Sequence, residues 1–197
     1  MIILFGLAGS GKGTQGKILS EIFGWKWFSV GEIIRQTGKY EDKLRAGELI
    51  PDEDVIYLMN KQIVKAEQEG FDVVLDGYPR DVKQAEYLLS TMSEKINGAI
   101  VLDVPKDELL QRLALRGRND DKKIDSIEQR FAVFDKNIEE MKNLFYNNGI
   151  PVEYVNGVGA VDEVTERLVE AVKMMDKNAV EQEKDVNGGE IEHSYGE

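Results

Sequence analysis

Apolar residues along this chain fall into two kinds of run. Short unbroken blocks, Ile2-Ile3-Leu4-Phe5, Val73-Val74-Leu75 after Phe71-Asp72, and Ala99-Ile100-Val101-Leu102, read as buried strands. Residues 25–28 (Trp-Lys-Trp-Phe) and 152–155 (Val-Glu-Tyr-Val) read as shorter ones. Between these blocks, apolar side chains recur at the three- and four-residue spacing of a helix face. Ile18, Leu19 and Ile22 mark a helix over residues 14–23, and Val55, Met59, Ile63 and Ala66 mark one over 52–70. A helix over 81–92 carries Gln84. Leu109, Leu110 and Leu113 point inward from a helix over 106–116. The longest stripe, Ile127, Phe131, Phe134, Ile138, Met141 and Phe145, predicts a helix over 125–148, and Val161, Val164, Leu168, Val172 and Met175 predict one over 160–176. Strands alternate with helices throughout, so the expected fold class is α/β: a parallel sheet with helices on both faces.

The remaining stretches are polar. Ser29 and Glu32 have capping-box spacing and predict a helix start. Residues 36–51 read as a small helical excursion closed by a turn. Asp52, Glu53 and Asp54 suit the positive end of the helix that follows, and no catalytic role is read into them. After about residue 176 the periodicity stops. Residues 178–197 are polar and acidic, and are expected to be a disordered tail after a single domain spanning 1–177.

Charge and composition narrow the chemistry. The formal net charge is −12, which argues against nucleic acid or an anionic membrane as partner. No apolar run is long enough to span a bilayer, and the first strand begins at residue 2, leaving no room for a signal peptide; a cytoplasmic protein is expected. There is no cysteine and one histidine, His193, so thiolate metal sites are excluded, and so is a histidine base unless the tail folds back. What remains is carboxylates, Lys, Arg, backbone amides and a loosely held metal. Phosphoryl transfer needs little more.

The first strand runs into Gly6-Leu7-Ala8-Gly9-Ser10-Gly11-Lys12-Gly13-Thr14, a G-x-x-x-x-G-K loop ahead of a helix. Glycines there let successive N–H groups turn inward on a phosphate, and the helix N-terminus adds its own donors. Lys12 supplies a full charge for the outer phosphates, and the Thr14 hydroxyl is in reach of Mg²⁺ or a phosphate. Residues 11–16 also spell G-x-G-x-x-G, but a dinucleotide loop has no use for Lys12, and no acidic residue ends a second strand at the required distance. Asp76 ends a buried strand at the same edge, where Mg²⁺ or its water shell would be held. Gly77-Tyr78-Pro79 then turns sharply and delivers Arg80. Arg35 lies one turn inside its helix, a poor place for a cation without an anion nearby. Arg112, Arg116, Arg118 and Arg130 are four of the chain's eight arginines within 19 residues. They suit phosphate oxygens, and they also suit local pairing with Asp120 and Asp121.

Together these motifs resemble the adenylate kinase family of nucleoside monophosphate kinases, over roughly residues 1–175. Residues 6–14 are similar to its G-x-P-G-x-G-K-G-T loop. Ser29-Val30-Gly31-Glu32-Ile33-Ile34-Arg35 is similar to its S-T-G-D-x-x-R, Leu75-Asp76-Gly77-Tyr78-Pro79-Arg80 with Gln84 to its L-D-G-[FY]-P-R and following glutamine, and Arg116-Gly117-Arg118-Asn119-Asp120-Asp121 with Arg130 to its lid arginines. The resemblance implies the P-loop NTPase fold, with a five-stranded sheet in the order 2-3-1-4-5. It implies an acceptor-binding insert near residues 30–59 and a short lid near 117–127 without zinc. It also implies a monomer acting on ATP and AMP with Mg²⁺. ATP would bind through Gly9, Ser10, Gly11, Lys12, Gly13, Thr14 and Arg118. AMP would bind through Val30, Arg35, Gly77, Arg80, Gln84 and Arg130. Lys12, Arg80, Arg118 and Arg130 would carry the transfer, and Thr14 and Asp76 would hold the metal, through water. The chain departs from the pattern at Ala8, at Glu32 and at Val30. Val30 replaces a threonine, so the acceptor site is one hydrogen bond poorer and is expected to prefer AMP with weaker discrimination against CMP and UMP. The alternatives are a UMP/CMP kinase on the same fold and a non-catalytic nucleotide-binding module.

Overall fold

A computed structural model describes residues 1–117, 121 and 123–176. Arg118, Asn119 and Asp120 of the expected lid, and the expected tail, lie outside these residues. Five strands, β1 (Ile2–Phe5), β2 (Lys26–Ser29), β3 (Val73–Asp76), β4 (Gly98–Asp103) and β5 (Val152–Asn156), form one sheet in the order β2-β3-β1-β4-β5. Every pairing is parallel. The central strand β1 is buried at all four positions, as a strand covered on both faces must be.

Period-two alternation sorts the sheet residues into two cores. Ile3, Phe5 and Leu75 face α4 (Asp52–Gln68), α5 (Val82–Met92) and α7 (Ile124–Asn147). Phe5 meets Phe145 of α7 edge to face, ring centroids 5.7 Å apart. Ile2, Leu4, Val74 and Ile100 face α1 (Lys12–Phe23) and α8 (Val161–Met175) on the other side. The stripe Val55, Met59, Ile63 and Ala66 is the buried face of α4, as its spacing predicts. A third, smaller cluster joins Leu109 and Leu113 of α6 (Lys106–Arg116) to Ile127 and Phe131 of α7.

The insert between β2 and β3 is built from α2 (Val30–Thr37), α3 (Glu41–Ala46) and the start of α4. Strand register sets the site: Leu4 pairs with Asp76, and Ser29 also pairs with Asp76. The carboxyl ends of the three neighbouring strands β1, β2 and β3 therefore finish level, and the loops that leave them share one edge.

Three local expectations are corrected. Ser29 is the N-cap of α2, but its side chain makes no capping hydrogen bond, and Glu32 turns instead towards Lys17 on α1 at 3.9 Å. Leu110 is 40% exposed, because two adjacent leucines cannot both face a single neighbouring helix. Phe71 lies before the strand, with Lys26 stacked over its ring at 4.0 Å.

Candidate active site

The loop after β1 turns back on itself at Gly9 (φ 90°) and Gly11 (φ 100°), left-handed values that residues with a Cβ rarely adopt. Gly11 is the N-cap of α1 and has no side chain to satisfy the first-turn N–H groups. Those donors are left for a ligand. Ser10 is buried beneath the loop, while Gly13 and Thr14 border the open cavity above it.

Lys12 points into this loop. Its ammonium donates to the Gly6 carbonyl at 2.7 Å, the Leu7 carbonyl at 2.9 Å and the Ser10 hydroxyl at 3.3 Å. Burial pushes its pKa down from 10.5 to about 8. Asp76 opposes the shift, while Arg80, Arg116 and Arg130 add to it. These four groups therefore surround one ammonium in a cavity of about 940 Å³. Arg35, Arg80, Arg112, Arg116 and Arg130 all border this cavity in a protein of net charge −12. The free-enzyme ammonium titrates near pH 8, so kcat/KM for ATP is expected to fall as pH rises through about 8. Initial rates between pH 6.5 and 9.5 check this; a profile flat through pH 9 contradicts it.

Arg35 of α2 and Arg80 of the β3 exit loop border the same cavity and converge there. A Cβ placed on Gly31 would stand 3.3 Å from a terminal nitrogen of each guanidinium, a tight contact that would push both aside by a few tenths of an ångström. Arg80 is aimed by a bond from its Nε to the Gly77 carbonyl at 3.0 Å. Two like charges brought to one point, at the start of a helix, form a site for a dianion.

Asp121 ties the third group of cations. Its side chain is 2% exposed and accepts two bonds from Arg116, at 2.6 and 2.7 Å, and one from Arg130 at 2.9 Å. Burial pushes its carboxyl up, but the hydrogen bonds and charges of Arg116 and Arg130 outweigh that and hold it below the usual carboxylate range. The two readings of the arginine cluster are thus compatible: the carboxylate orients cations that border the cavity.

Of the residues expected at the base, Val30 and Gln84 are fully buried and neither borders the cavity. Val30 packs in the core with Ile34 and Tyr78. The Gln84 amide donates to Asp52 at 2.9 Å and Asp81 at 3.1 Å, and its carbonyl accepts the Arg80 backbone N–H at 3.0 Å. In this structure both N–H groups of the amide are held by these carboxylates. The sequence marked Arg112 only as one of a cluster of arginines. This side chain donates to the Gly157 carbonyl at 3.0 Å and pairs with Glu108, which places it between the phosphate loop and the loop after β5. Its spacing of four from Arg116, along one helix face, is the signal that marks it.

The chain matches the sequence profile of the adenylate kinase family over residues 4–150. The chain belongs to the adenylate kinase family. Relatives include an adenylate kinase of Nocardia farcinica, 37% identical over 185 residues that cover 87% of this chain and 98% of that protein. An adenylate kinase of Prochlorococcus marinus is 32% identical over 79% of this chain and 88% of its own length. One of Phocaeicola vulgatus is 31% identical, with 88% and 98% covered. The β2-β3-β1-β4-β5 order is the one that the adenylate kinase resemblance implies.

Adenylate kinases generally work on ATP complexed with Mg²⁺. Among the described residues no group of three or more acidic or histidine side chains forms a metal cage. The donors present fit a hydrated Mg²⁺ that arrives with phosphates: one buried carboxylate, Asp76, beside Gly13 of the loop, and the exposed Thr14. No described helix is long and apolar enough to cross a membrane.

Proposed function

We infer that this protein catalyses reversible transfer of the γ-phosphoryl group of MgATP to AMP, giving two ADP. The observation that carries the reading is the pair of anion sites that border one cavity. One is the phosphate loop with Lys12, and the other is the Arg35–Arg80 convergence over Gly31.

In this reading the loop amides of residues 9–14 and Lys12 hold the β- and γ-phosphates. Arg35 and Arg80 hold the acceptor phosphate in line with the γ-phosphorus. Arg116 and Arg130, with Arg118 of the expected lid at about 117–127, neutralise charge on the transferring group. The acceptor oxygen is already ionised, so no general base is required. Asp76 and Thr14 would hold Mg²⁺ through water, and the ion would supply Lewis-acid charge to the phosphates. Closure of the lid and of the insert at about 30–59 excludes water as a competing acceptor. AMP as acceptor rests on the family; the protein is read as a cytoplasmic monomer working on free nucleotides, with neither nucleic acid nor membrane as partner.

Initial rates with MgATP and each of AMP, CMP, UMP and GMP test the reading, with AMP expected best by kcat/KM. Arg80→Ala should raise KM for AMP by roughly 10- to 100-fold, the worth of a charged hydrogen bond to phosphate, and change KM for ATP far less. Better turnover of CMP or UMP would replace the acceptor. No turnover with any of them would leave a binding module.

A further inference from the structure

Gln15 is 3% exposed and is used by nothing described above. It lies on the first turn of α1, directly after Thr14, and borders the cavity. Its amide nitrogen donates to the Val161 carbonyl at 3.0 Å, and its carbonyl accepts the Thr165 hydroxyl at 2.8 Å. The amide orientation is dictated: a backbone carbonyl only accepts, so a flipped amide would set oxygen against oxygen. Val161 and Thr165 belong to the start of α8, and the loop leading into α8 leaves β5 through Gly157 and Gly159. Gly157, Gly159 and Val161 border the same cavity as the phosphate loop. Arg112 of α6 holds the start of this loop through the Gly157 carbonyl, and Gln15 holds its end.

We propose that Gln15 is a positioning residue for the donor: it fixes the spacing between the phosphate loop and the cavity wall made by the loop between β5 and α8, and Thr165 locks its amide in place. The sheet order puts the insert after β2 at one edge, the phosphate loop after β1 at the centre and the loop after β5 at the other edge. With the acceptor held from the insert, the β5 side is left for the nucleoside of the triphosphate. The phosphates and the nucleoside then rest on two separate elements, and the donor fits both only when their separation is set. Lys12 and Gln15 lie less than one helical turn apart on α1, so one rigid segment carries the phosphate contact and the tie to the wall. The three acceptors that Lys12 bonds do not include Gln15, so holding the phosphates and seating the nucleoside are separable.

The inference rests on the phosphate loop holding the donor. Gln15→Met tests it. Methionine fills similar space without the amide, and the freed Thr165 hydroxyl keeps an acceptor, the Val161 carbonyl at 2.9 Å. Initial rates should show KM for ATP raised roughly tenfold, the worth of a hydrogen bond or two, with KM for AMP level. Inorganic tripolyphosphate, as a competitor against ATP, probes the phosphate loop alone, and its inhibition constant should be unchanged. Thr165→Val should raise KM for ATP by less and add nothing to Gln15→Met, because the two side chains act as a unit. A level KM for ATP overturns the role, and so does an inhibition constant that rises as much as KM for ATP. Effects of the two substitutions that simply add also overturn it. If Gln15→Met does not fold, Thr165→Val decides by the same comparison of KM for ATP with the tripolyphosphate constant. Failure of the underlying reading looks different: tripolyphosphate would then not compete with ATP in the unmodified protein.

Discussion

Lys12→Ala is expected to lower kcat by roughly 10³-fold or more while leaving the melting temperature unchanged or slightly higher. The ammonium stands in the loop that the phosphates enter, bonded to two carbonyls and a hydroxyl. It shares its surroundings with Arg80, Arg116 and Arg130, whose charges disfavour a fourth cation beside them. Holding the charge there costs stability in the free protein and is recovered when a polyphosphate binds. The sign follows from the shift. A base whose folded pKa is depressed to about 8 destabilises the fold below that pH, and the cost fades as pH rises from 8 towards 10.5. Removing the ammonium removes that cost and leaves the Gly6 and Leu7 carbonyls facing a solvated cavity. A coupled assay and a thermal melt check both halves. Turnover within tenfold of the unmodified protein, or a melt several degrees lower, contradicts the assignment.

The motifs that border the cavity were legible because they sit where strands end. Lys12, Asp76 and Arg80 each follow a buried apolar block, and period-two burial together with the parallel register fixes which edge they share. The helical stripes were legible for the same reason, since Val55, Met59, Ile63 and Ala66 must find a sheet to cover. What could not be read was side-chain pairing across distant segments. Asp52 looked like a dipole-complementing residue at a helix start, and its bond to Gln84 had no signal in the sequence. Only the fold brings them together with Asp81, 32 residues separating the bonded pair. Ser29 and Glu32 show the converse failure: capping-box spacing is local, and Glu32 turned instead towards Lys17, a partner from another helix. Leu110 failed because spacing marks a helix face but not the width of the neighbour it meets.

The cations of the site come from separate elements: Lys12 from α1, Arg35 from α2, Arg80 from a loop, Arg116 from α6 and Arg130 from α7. Such a cluster resists assembly, because each charge raises the cost of the next. Two carboxylates offset it from inside the fold. Asp76 raises the Lys12 pKa against the other influences, and Asp121 binds Arg116 and Arg130 at once.

Asp121→Ala should therefore combine a stability loss with a specific kinetic loss. The carboxylate is 2% exposed, while its partners Arg116 and Arg130 are 30% and 20% exposed. Breaking a fully buried pair costs several kcal/mol; with arginines this wet, about 2 kcal/mol is expected, or a melting temperature lower by about 4–8 °C for a chain of this size. The pH dependence has a definite sign. A carboxyl held below its ordinary pKa contributes stability that is present above about pH 4 and is lost as pH falls towards its folded pKa. The alanine variant should lack that part of the acid sensitivity, so the two melting curves should approach each other at low pH. The kinetic effect is separate. Without Asp121 the two guanidiniums lose the anchor that fixes their planes, and misplacement of a charge by about 1 Å costs up to roughly 10² in rate. The site also becomes more positive by one charge, so KM for ATP should hold or fall while kcat drops. A scaffold defect alone would instead weaken substrate binding along with turnover. Equal kcat and an equal melting temperature in Asp121→Ala would show that Arg116 and Arg130 keep their places without the carboxylate.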